Sequence, residues 1–393
     1  MNGNEYVKTI LKIWEYKKGK YTDLLKTELN KYYSGKAFLF ENARSAEYVF
    51  LKSLGLNEGD EVIVQAFTCN AVVNPILWNK LIPIYVDINQ KDFCMNIDDL
   101  KRKITEKTKV IILQHTFGNR ADIESVKQIV KDQKEKNNQN ILVLEDCAHA
   151  LGVKDLGNNF DASIVSFGIE KILSTRVGGA LILNNLDLEN NIALEYNKLG
   201  TMSFWATYIW LLNPIFWRIL RKFKASQMKY AKMLNGLGLL NMGFFKSELK
   251  GIKPVSYPKK LSNALAKVVY MSIQTLQSNL NHRMDISNIY SSQISVSQNS
   301  KRSYVRYPLI IESDQAREAI KSKLYELGVV TGDWYNPIIY PNGTDLNSML
   351  YPSGSCRNAE EVGSKILNLP TGINISNVLA QDISEVIYEY MKH

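Results

Sequence analysis

The chain has 393 residues, of which 45% are hydrophobic, and this length exceeds what a single hydrophobic core usually supports. Its formal net charge is +9, but residues 199–247 hold seven Lys or Arg and no Asp or Glu, so the excess charge is local and does not indicate nucleic-acid binding. The four cysteines lack metal-ligand spacing and the N-terminus lacks the apolar segment of a signal peptide, so we expect a cytoplasmic protein with reduced thiols, no metal site and no disulfide scaffold.

The first part of the chain alternates predicted strands and helices. Short apolar runs predict strands at residues 61–64, 82–86, 110–113, 141–144, 163–167 and 180–183. Between them lie amphipathic stretches such as residues 121–136, where Ile123, Val126 and Ile129 recur at helical spacing. Nearly continuous apolar strands that alternate with helices predict an α/β/α arrangement with a mostly parallel central sheet. Chemistry is then expected at the carboxyl ends of the strands.

The pattern changes in the last part of the chain. One long helix is predicted over residues 261–290, followed by a strand at 304–311 and a helix at 314–327. This order of elements is typical of a smaller α+β unit. We therefore expect a large α/β domain over residues 1–250 and a small C-terminal domain over residues 251–393.

Two charged residues follow two of the predicted buried strands. Asp146 ends the strand that begins near residue 141, and Lys171 comes just after the next strand. A lysine that forms a Schiff base and a carboxylate that keeps a pyridine nitrogen protonated are the two parts that a pyridoxal-phosphate site needs. Each residue also has a simpler interpretation, because an Asp at a strand end is usually a turn former and a Lys after a strand is usually solvated. Their joint occurrence at strand ends favours the cofactor site.

Several motifs, in the same order along the chain, carry a resemblance to a known family. They are residues 59–64, 66–68, 83–87, 114–118, 145–152, 166–171 and 368–371. With these motifs the chain resembles the DegT/StrS-type sugar aminotransferases, which use pyridoxal phosphate and have the fold type I aminotransferase fold. The resemblance runs from about residue 37 to 183 and resumes more weakly from residue 257. It implies a homodimer with its active site at the subunit interface.

The same resemblance implies roles for residues in the cofactor motifs. Lys171 would hold pyridoxal phosphate as a Schiff base and move a proton between substrate and cofactor. Asp146 would pair with the pyridinium nitrogen, His149 would lie beside the cofactor ring, and Ser166 would hydrogen-bond the phosphate. Lys171, Asp146 and His149 are therefore the expected catalytic residues, with a locally hydrogen-bonded buried histidine as the alternative for His149.

The phosphate cradle departs from the family pattern. Residues 42–46 read Asn-Ala-Arg-Ser-Ala where many relatives have Ser-Gly-Thr-Ala at the start of a helix. Free backbone N–H groups and the helix dipole still suit a phosphate there. Arg44 and Ser45 are expected to add charge-assisted hydrogen bonds. The alternative is a plain helix cap.

The ring-stacking position departs as well. Phe67, Thr68 and Cys69 are expected beside the cofactor, but many relatives have an aromatic residue where this chain has Cys69. Either Phe67 or another ring then stacks on the cofactor, or this stacking contact is lost.

Two further family positions are changed. An Asn that in relatives reaches the phosphate from the partner subunit is Pro258 here, which leaves Lys260 or Asn263 to replace it. The Gly-Glu pair that precedes the paired glycines in relatives is Arg176 followed by Val177. Neither change touches Lys171 or Asp146, so we expect the chemistry to be kept and the substrate fit to differ.

A basic, aromatic insert is predicted at about residues 199–250. Its residues 204–224 hold three of the six tryptophans, followed by a basic cluster, and Asn213-Pro214 is expected to interrupt the segment. Such a segment is too short to span a bilayer but suits contact with an anionic membrane surface on the cytoplasmic side. The alternative is that the rings pack on the large domain or on a partner subunit.

The leading functional hypothesis is an aminotransferase that moves an amino group, from glutamate as in relatives, onto a keto-sugar. The sugar would be carried by a nucleotide or a lipid and used for cell-surface polysaccharide or lipopolysaccharide.

Two alternatives stay open. One is sugar deoxygenation, although relatives that deoxygenate replace the lysine with histidine and Lys171 is present. The other is a non-catalytic scaffold of a glycan-assembly complex. A nucleotide-dependent dehydrogenase is not favoured, because no G-x-G-x-x-G opens the first strand–helix unit.

Overall fold

The computed structural model describes residues 3–294 and 302–391. The strands are β1 (Lys36–Phe40), β2 (Glu61–Gln65), β3 (Thr68–Cys69), β4 (Ile82–Val86), β5 (Thr108–Gln114), β6 (Leu142–Asp146), β7 (Ala162–Ser166), β8 (Gly179–Leu183), β9 (Arg306–Ile310), β10 (Ile339–Tyr340) and β11 (Ile366–Pro370).

The helices are α1 (Gly3–Leu11), α2 (Tyr21–Leu29), α3 (Ala43–Ser53), α4 (Asn70–Trp78), α5 (Ile97–Lys103), α6 (Ile123–Asn137), α7 (Glu189–Asn197), α8 (Phe204–Leu220), α9 (Gln227–Gly236), α10 (Asn263–Ile273), α11 (Leu276–Gln293), α12 (Asp314–Glu326), α13 (Arg357–Lys365) and α14 (Asn377–Met391). Short 3-10 turns lie at Ile13–Glu15, Thr116–Gly118, Leu186–Leu188, Arg221–Ser226 and Lys246–Lys250.

Seven strands form the central sheet, in the order β1-β8-β7-β6-β5-β2-β4. Strands β4, β2, β5, β6 and β7 are parallel, and β8 runs antiparallel to both β7 and β1. The predicted mostly parallel sheet and its six predicted strands are confirmed, and β1 adds an edge strand that the sequence patterns did not predict. Asp146 pairs with Ile164, two residues before Ser166. The sheet therefore brings the carboxyl ends of β6 and β7 side by side.

The start of α3 is held against this edge of the sheet. Asn42 caps the helix, because its side-chain oxygen accepts a hydrogen bond from the backbone N–H of Ser45 at 2.9 Å. Gly179 begins β8 at the same edge, and a Cβ there would lie 2.4 Å from the backbone nitrogen of Ala43. Only glycine permits so close an approach. The N-terminus of α3 is thereby fixed beside the carboxyl ends of the parallel strands.

The C-terminal part contains a two-stranded antiparallel sheet of β9 and β11, with α11 and α12 packed on α14. The predicted single helix over residues 261–290 is wrong, because α10 and α11 are separate helices. They separate at Thr275, whose hydroxyl donates to the carbonyl of Ser272 at 2.8 Å. The two helices also have different partners, since α10 packs on α2 and α11 packs on α14. The division into domains 1–250 and 251–393 stays a prediction.

The insert is mainly helical. The predicted interruption at Asn213-Pro214 is wrong, because α8 continues through Pro214 to Leu220. A proline inside a helix removes one backbone hydrogen bond, and the surrounding packing keeps this helix continuous. Among the described residues, no helix combines the length and the apolar character needed to cross a bilayer.

Candidate active site

A cavity of about 890 Å³ opens at the carboxyl ends of β6 and β7. Its wall includes six of the predicted cofactor residues, which are Arg44, Cys69, Asp146, His149, Ser166 and Lys171. The insert supplies a second part of the wall, and the C-terminal part supplies a third. The predicted catalytic residues are thus brought together in one cavity, of a size that suits a cofactor and a substrate.

Lys171 lies in the loop that leaves β7. Its backbone N–H bonds to the carbonyl of Gly168 at 3.4 Å, and its ammonium nitrogen lies 4.9 Å from the centroid of the Trp334 ring. Burial lowers the pKa of Lys171, and the nearby Cys69 and Asp146 oppose this shift. A lysine with a lowered pKa has a larger fraction of the neutral amine that attacks a carbonyl carbon.

Asp146 is buried at the end of β6, where its carboxylate accepts a hydrogen bond from the backbone N–H of Ala148 at 2.9 Å. Burial raises the pKa of Asp146, while the Ala148 N–H and the charge of Lys171 lower it. A cation placed against this carboxylate would stabilise its ionised form. A protonated pyridine nitrogen is such a cation.

His149 is buried between rings on the cavity wall. Its Nδ1 accepts a hydrogen bond from the backbone N–H of Phe117 at 3.1 Å, and its Nε2 lies 3.3 Å from the hydroxyl of Tyr335. Burial, and then the positive charges of Lys171 and Arg306, lower the pKa of His149 well below its ordinary value. The imidazole is therefore a neutral ring.

The ring-stacking residues differ from the expectation. Phe67 is fully buried away from the cavity wall, with ring-centroid distances of 6.0 Å to Phe93 and 5.3 Å to Tyr335. Thr68 is also off the wall, because its hydroxyl donates to Gln114 at 2.6 Å. Cys69 does line the cavity and caps α4 through its sulfur. Of these three residues only Cys69 lies on the cavity wall, and a role of Phe67 and Thr68 beside the cofactor stays a prediction.

The aromatic wall comes from the C-terminal part. Trp334, Tyr335 and Tyr340 line the cavity together with His149. The His149 and Trp334 rings are nearly parallel, with centroids 5.1 Å apart. These residues were missed, since an aromatic pair in a distant loop carries no local signal of the cavity that it reaches.

The phosphate cradle is also different in detail. Arg44 lines the cavity, but its guanidinium pairs with the buried carboxylate of Glu248 and donates to the carbonyl of Gly243 at 3.0 Å. The hydroxyl of Ser45 is fully buried and donates to Glu41 at 2.6 Å. The side chains of Arg44 and Ser45 are thus already bonded to glutamates, and the expected contacts with a phosphate stay a prediction. What remains is the N-terminus of α3, which lies beside Ser166.

The replacement of the Asn at Pro258 by Lys260 or Asn263 stays a prediction, because in relatives this position reaches the phosphate of the partner subunit. Asn263 accepts a hydrogen bond from the backbone N–H of Tyr21 at 2.9 Å, and the ammonium of Lys260 lies over the ring of Tyr196. The cavity wall contains Lys259 instead. The sequence alone could not choose among three polar residues so close together.

Two buried carboxyl groups were not predicted. Glu47 of α3 is 1% exposed and lines the cavity, and neither of its carboxyl oxygens has a hydrogen-bond partner among the described residues. Burial, and then the proximity of Asp146, raise the pKa of Glu47 well above its ordinary value. Burial also raises the pKa of Glu41 to about 8.

These residues fit pyridoxal phosphate. Lys171 supplies the amine for the Schiff base, and Asp146 supplies the buried carboxylate. His149 and Trp334 supply flat rings on the cavity wall. Ser166 and the N-terminus of α3 supply hydrogen-bond donors for a phosphate. The donor set therefore matches the charge and shape of the cofactor.

Comparison with known proteins agrees with a pyridoxal-phosphate site. A curated GDP-perosamine synthase of Escherichia coli O157:H7 is 25% identical over 98% of this chain and 94% of its own length. A dTDP-4-amino-4,6-dideoxy-D-glucose transaminase of Shigella dysenteriae is 24% identical, over 89% of this chain and 84% of its own length. The solved structure of the putative sugar aminotransferase Spr1654 from Streptococcus pneumoniae, in its PMP form, has a TM-score of 0.75 at 21% identity and covers 98% of this chain and 96% of its own.

The sequence model described as the DegT/DnrJ/EryC1/StrS aminotransferase family matches residues 2–388, which is nearly the whole chain. The predicted fold type I architecture, the aminotransferase class and pyridoxal phosphate as the cofactor are confirmed. With Lys171, Asp146 and His149 together in one cavity, the chain belongs to the DegT/DnrJ/EryC1/StrS aminotransferase family.

Proposed function

We propose that this aminotransferase moves an amino group from an amino-acid donor, glutamate, onto a keto-sugar carried by a nucleotide. The observation that carries the proposal is the amine of Lys171, with its lowered pKa, on the wall of a cavity that also holds Asp146. Relatives named for GDP-linked and dTDP-linked amino sugars support the nucleotide carrier. The product would enter a cell-surface glycan.

The residues of this chain would divide the work as follows. The cofactor, when bound, supplies an electron sink for the carbon that gains or loses the amino group. Lys171 binds it and then holds and releases a proton at its Nζ. Asp146, on the cavity wall, would pair with a protonated ring nitrogen, and each charge would stabilise the other. His149 orients the ring as a neutral neighbour, and the surrounding aromatic side chains exclude water.

The presence of Lys171 also separates this function from its alternatives. A sugar-deoxygenating relative has histidine in place of the lysine, and this chain has the lysine with its pKa lowered. A scaffold has no use for a buried carboxylate opposite an amine. Asp146 and Lys171 both lie on the cavity wall, which favours catalysis over a purely structural role.

The test is the visible absorption spectrum of the purified protein with Lys171→Ala alongside. We expect a visible band that borohydride removes and glutamate converts, and that Lys171→Ala lacks. Lys154→Ala, at an exposed lysine outside the cavity wall, is the matched control and should keep the band. A colourless protein that takes up no added pyridoxal phosphate would contradict the function and favour the scaffold.

We further propose a cytoplasmic homodimer with the cavity at the subunit interface. The support is the resemblance of the family motifs. Sedimentation equilibrium of the loaded protein should give twice the mass of one chain. A monomer that nevertheless converts glutamate would contradict this proposal.

We also propose that the outer face of α8 contacts an anionic membrane surface. Trp210 and Trp217 of this helix line the cavity. Trp205, Ile215 and Ile219 are 68%, 42% and 49% exposed, and by helical spacing they lie on the opposite side of α8. Aromatic and aliphatic side chains on an exposed helix face suit the boundary between headgroups and acyl chains.

The charge of the insert favours lipid over a second copy of the chain. Residues 199–247 contain seven Lys or Arg and no acidic residue, and such a segment is attracted to anionic headgroups. A two-fold contact between two copies would bring the same basic surfaces together. α1 extends the apolar surface, because Tyr6 bonds to the carbonyl of Leu211 while Val7 and Leu11 are exposed.

Co-sedimentation with vesicles tests the membrane contact. The protein should sediment with phosphatidylserine-containing vesicles and remain soluble with neutral phosphatidylcholine, and Trp205→Ser with Ile219→Ser should abolish sedimentation. Leu186→Ser is the control, since Leu186 is 61% exposed but lies outside the insert. Unchanged sedimentation of the double variant would rule the contact out, and a dimer that the same variant dissociates would assign this face to a second copy.

A further inference from the structure

Arg176 has a backbone conformation that favours glycine. It lies in the loop between Lys171 and β8, and its φ is 73°, in the left-handed region. A side chain in that region strains the backbone, and such strain persists where the surrounding structure holds it in place for a purpose. The arginine therefore needs an explanation beyond the turn itself.

The insert holds the side chain of Arg176 in one position. Its Nε donates to the side-chain oxygen of Asn213 at 2.8 Å, and the amide nitrogen of Asn213 donates to the carbonyl of Asn241 at 2.7 Å. The Arg176 guanidinium carbon lies 5.3 Å from the centroid of the Trp217 ring. Asn213 is fully buried inside α8, so it is a rigid anchor. Two separate segments of the insert thus orient one guanidinium group.

The same guanidinium forms part of the cavity wall. Arg176, Trp210, Trp217 and Phe244 all line the cavity, and Lys259 is a further cationic residue on its wall. The indole N–H of Trp217 is buried and has no hydrogen-bond partner among the described residues. A buried donor without an acceptor is costly, and a ligand oxygen would satisfy it. This part of the wall therefore combines positive charge, an N–H donor and flat aromatic faces.

We propose that Arg176 binds the phosphate oxygens that join the sugar substrate to its carrier. This inference rests on the proposed function and names the residue that recognises the carrier. A planar guanidinium matches two phosphate oxygens at once, which a lysine does not. The guanidinium of Arg44, which also lines the cavity, is directed at the carboxylate of Glu248. Asn213 is a positioning residue that acts through Arg176, whereas Trp217 both packs on the guanidinium and offers its own N–H to the ligand.

Binding measurements on the protein loaded with pyridoxal phosphate test the proposal. Isothermal titration with GDP, dTDP and inorganic pyrophosphate should each give about 10- to 100-fold weaker binding for Arg176→Gln, because the diphosphate is common to all three. The affinity of Arg176→Lys should fall between the affinities of the unchanged protein and of Arg176→Gln. Arg176→Gly, which suits the backbone at φ 73°, guards against a loss caused by misfolding. Arg218→Gln is the matched control, since Arg218 is an exposed arginine of α8 outside the cavity wall.

Glutarate, a dicarboxylate without an amino group, distinguishes a second source of the same anion chemistry. We expect the three Arg176 variants to bind glutarate as the unchanged protein does. If they lose glutarate and keep pyrophosphate, Arg176 recognises the donor carboxylate and the proposal is overturned. Equal pyrophosphate binding in all proteins overturns it as well. If the unchanged protein shows no glutamate conversion while Arg176 variants still lose pyrophosphate, the proposed function fails and the phosphate site stands.

Discussion

The imidazole ring of His149 lies nearly parallel to the indole ring of Trp334, with centroids 5.1 Å apart and planes inclined by 10°. The backbone N–H of Phe117 donates to Nδ1, so the proton of the neutral ring is on Nε2, where the hydroxyl of Tyr335 lies at 3.3 Å. One histidine thereby connects the end of β6 to a loop of the C-terminal part. The stack fixes the orientation of both rings at the cavity wall.

His149 should stay neutral across the range in which an ordinary histidine titrates. Its pKa is lowered well below the ordinary value by burial and by the positive charges of Lys171 and Arg306. In ¹⁵N-labelled protein we expect its two ring nitrogens to keep their chemical shifts between about pH 6 and 8. A His149→Gln spectrum assigns the signals. A signal of His149 that moves across this range would show that the ring gains a proton there.

Breaking the ion pair of Arg44 and Glu248 should destabilise the protein strongly. Glu248 is fully buried and the Arg44 side chain is 14% exposed, so either partner alone would be a buried charge. We expect Glu248→Gln to lower the free energy of unfolding by about 3–5 kcal/mol, measured by urea denaturation. The double variant Arg44→Met with Glu248→Leu should recover much of that loss, because it removes both charges.

An exposed pair supplies the control for this experiment. Lys80 and Glu58 lie 2.8 Å apart with side chains 72% and 71% exposed, and Glu58→Gln should change stability far less than Glu248→Gln. Similar losses at the two sites would mean that the buried pair contributes no more than a surface contact.

Glu41 should make folding stability fall as the pH rises. Burial raises the pKa of Glu41 to about 8 in the folded protein, whereas its ordinary value is 4.5. Between these values the folded state binds more protons than the unfolded state, so raising the pH favours unfolding, by no more than about 1.4 kcal/mol per pH unit. Glu41→Gln should remove this part of the slope between pH 5 and 8 in urea denaturation series. Parallel slopes for the two proteins would contradict the raised pKa.

The left-handed backbone at Arg176 should be visible in stability. Arg176→Ala and Arg176→Gly both remove the contacts with Asn213 and Trp217, and they differ only in the Cβ at φ 73°. We expect the glycine variant to be the more stable by about 1 kcal/mol, because a Cβ is strained in that conformation. Thermal unfolding of the two variants measures this difference in stability. The reverse order would mean that the turn changes its conformation once the arginine is gone.

The buried carboxyl group of Glu47 should destabilise the folded protein. Its two carboxyl oxygens are buried and have no hydrogen-bond partner in the part of the chain that the structure describes, so Glu47→Leu replaces an unsatisfied polar group by an apolar one of similar volume. We expect the free energy of unfolding of the cofactor-free protein to rise by about 1–3 kcal/mol. Glu28→Leu, at a buried glutamate that is paired with Lys31, is the contrast and should not stabilise. A loss of stability in Glu47→Leu would show that this carboxyl group has a partner in solution.

Local sequence patterns were enough to predict the fold and the two central residues of the site. Each strand of the parallel sheet is a short apolar run. Such a run is enough to predict a strand that is buried on both faces. Asp146 and Lys171 could be found because they end or follow such runs, and parallel strands place their carboxyl ends at one edge. The ordered motifs then identified the family and the cofactor.

The direction of individual side chains required the tertiary structure. Arg44 and Ser45 lie at the expected helix start, yet their side chains bind Glu248 and Glu41, and Glu248 is far along the sequence. Phe67 was expected beside the cofactor, but Trp334 from the distant C-terminal part forms the aromatic wall together with His149.

The insert shows the same division. Its aromatic and basic composition was evident from the sequence, whereas the continuous helix through Pro214 was not predicted. That one face of α8 closes the cavity and holds Arg176 through Asn213 was decided only by folding. The physical reason is that strands and helices form from the propensity and spacing of neighbouring residues. The partner of a charged or aromatic side chain is chosen instead by which buried groups lie within a few ångströms once the chain is packed.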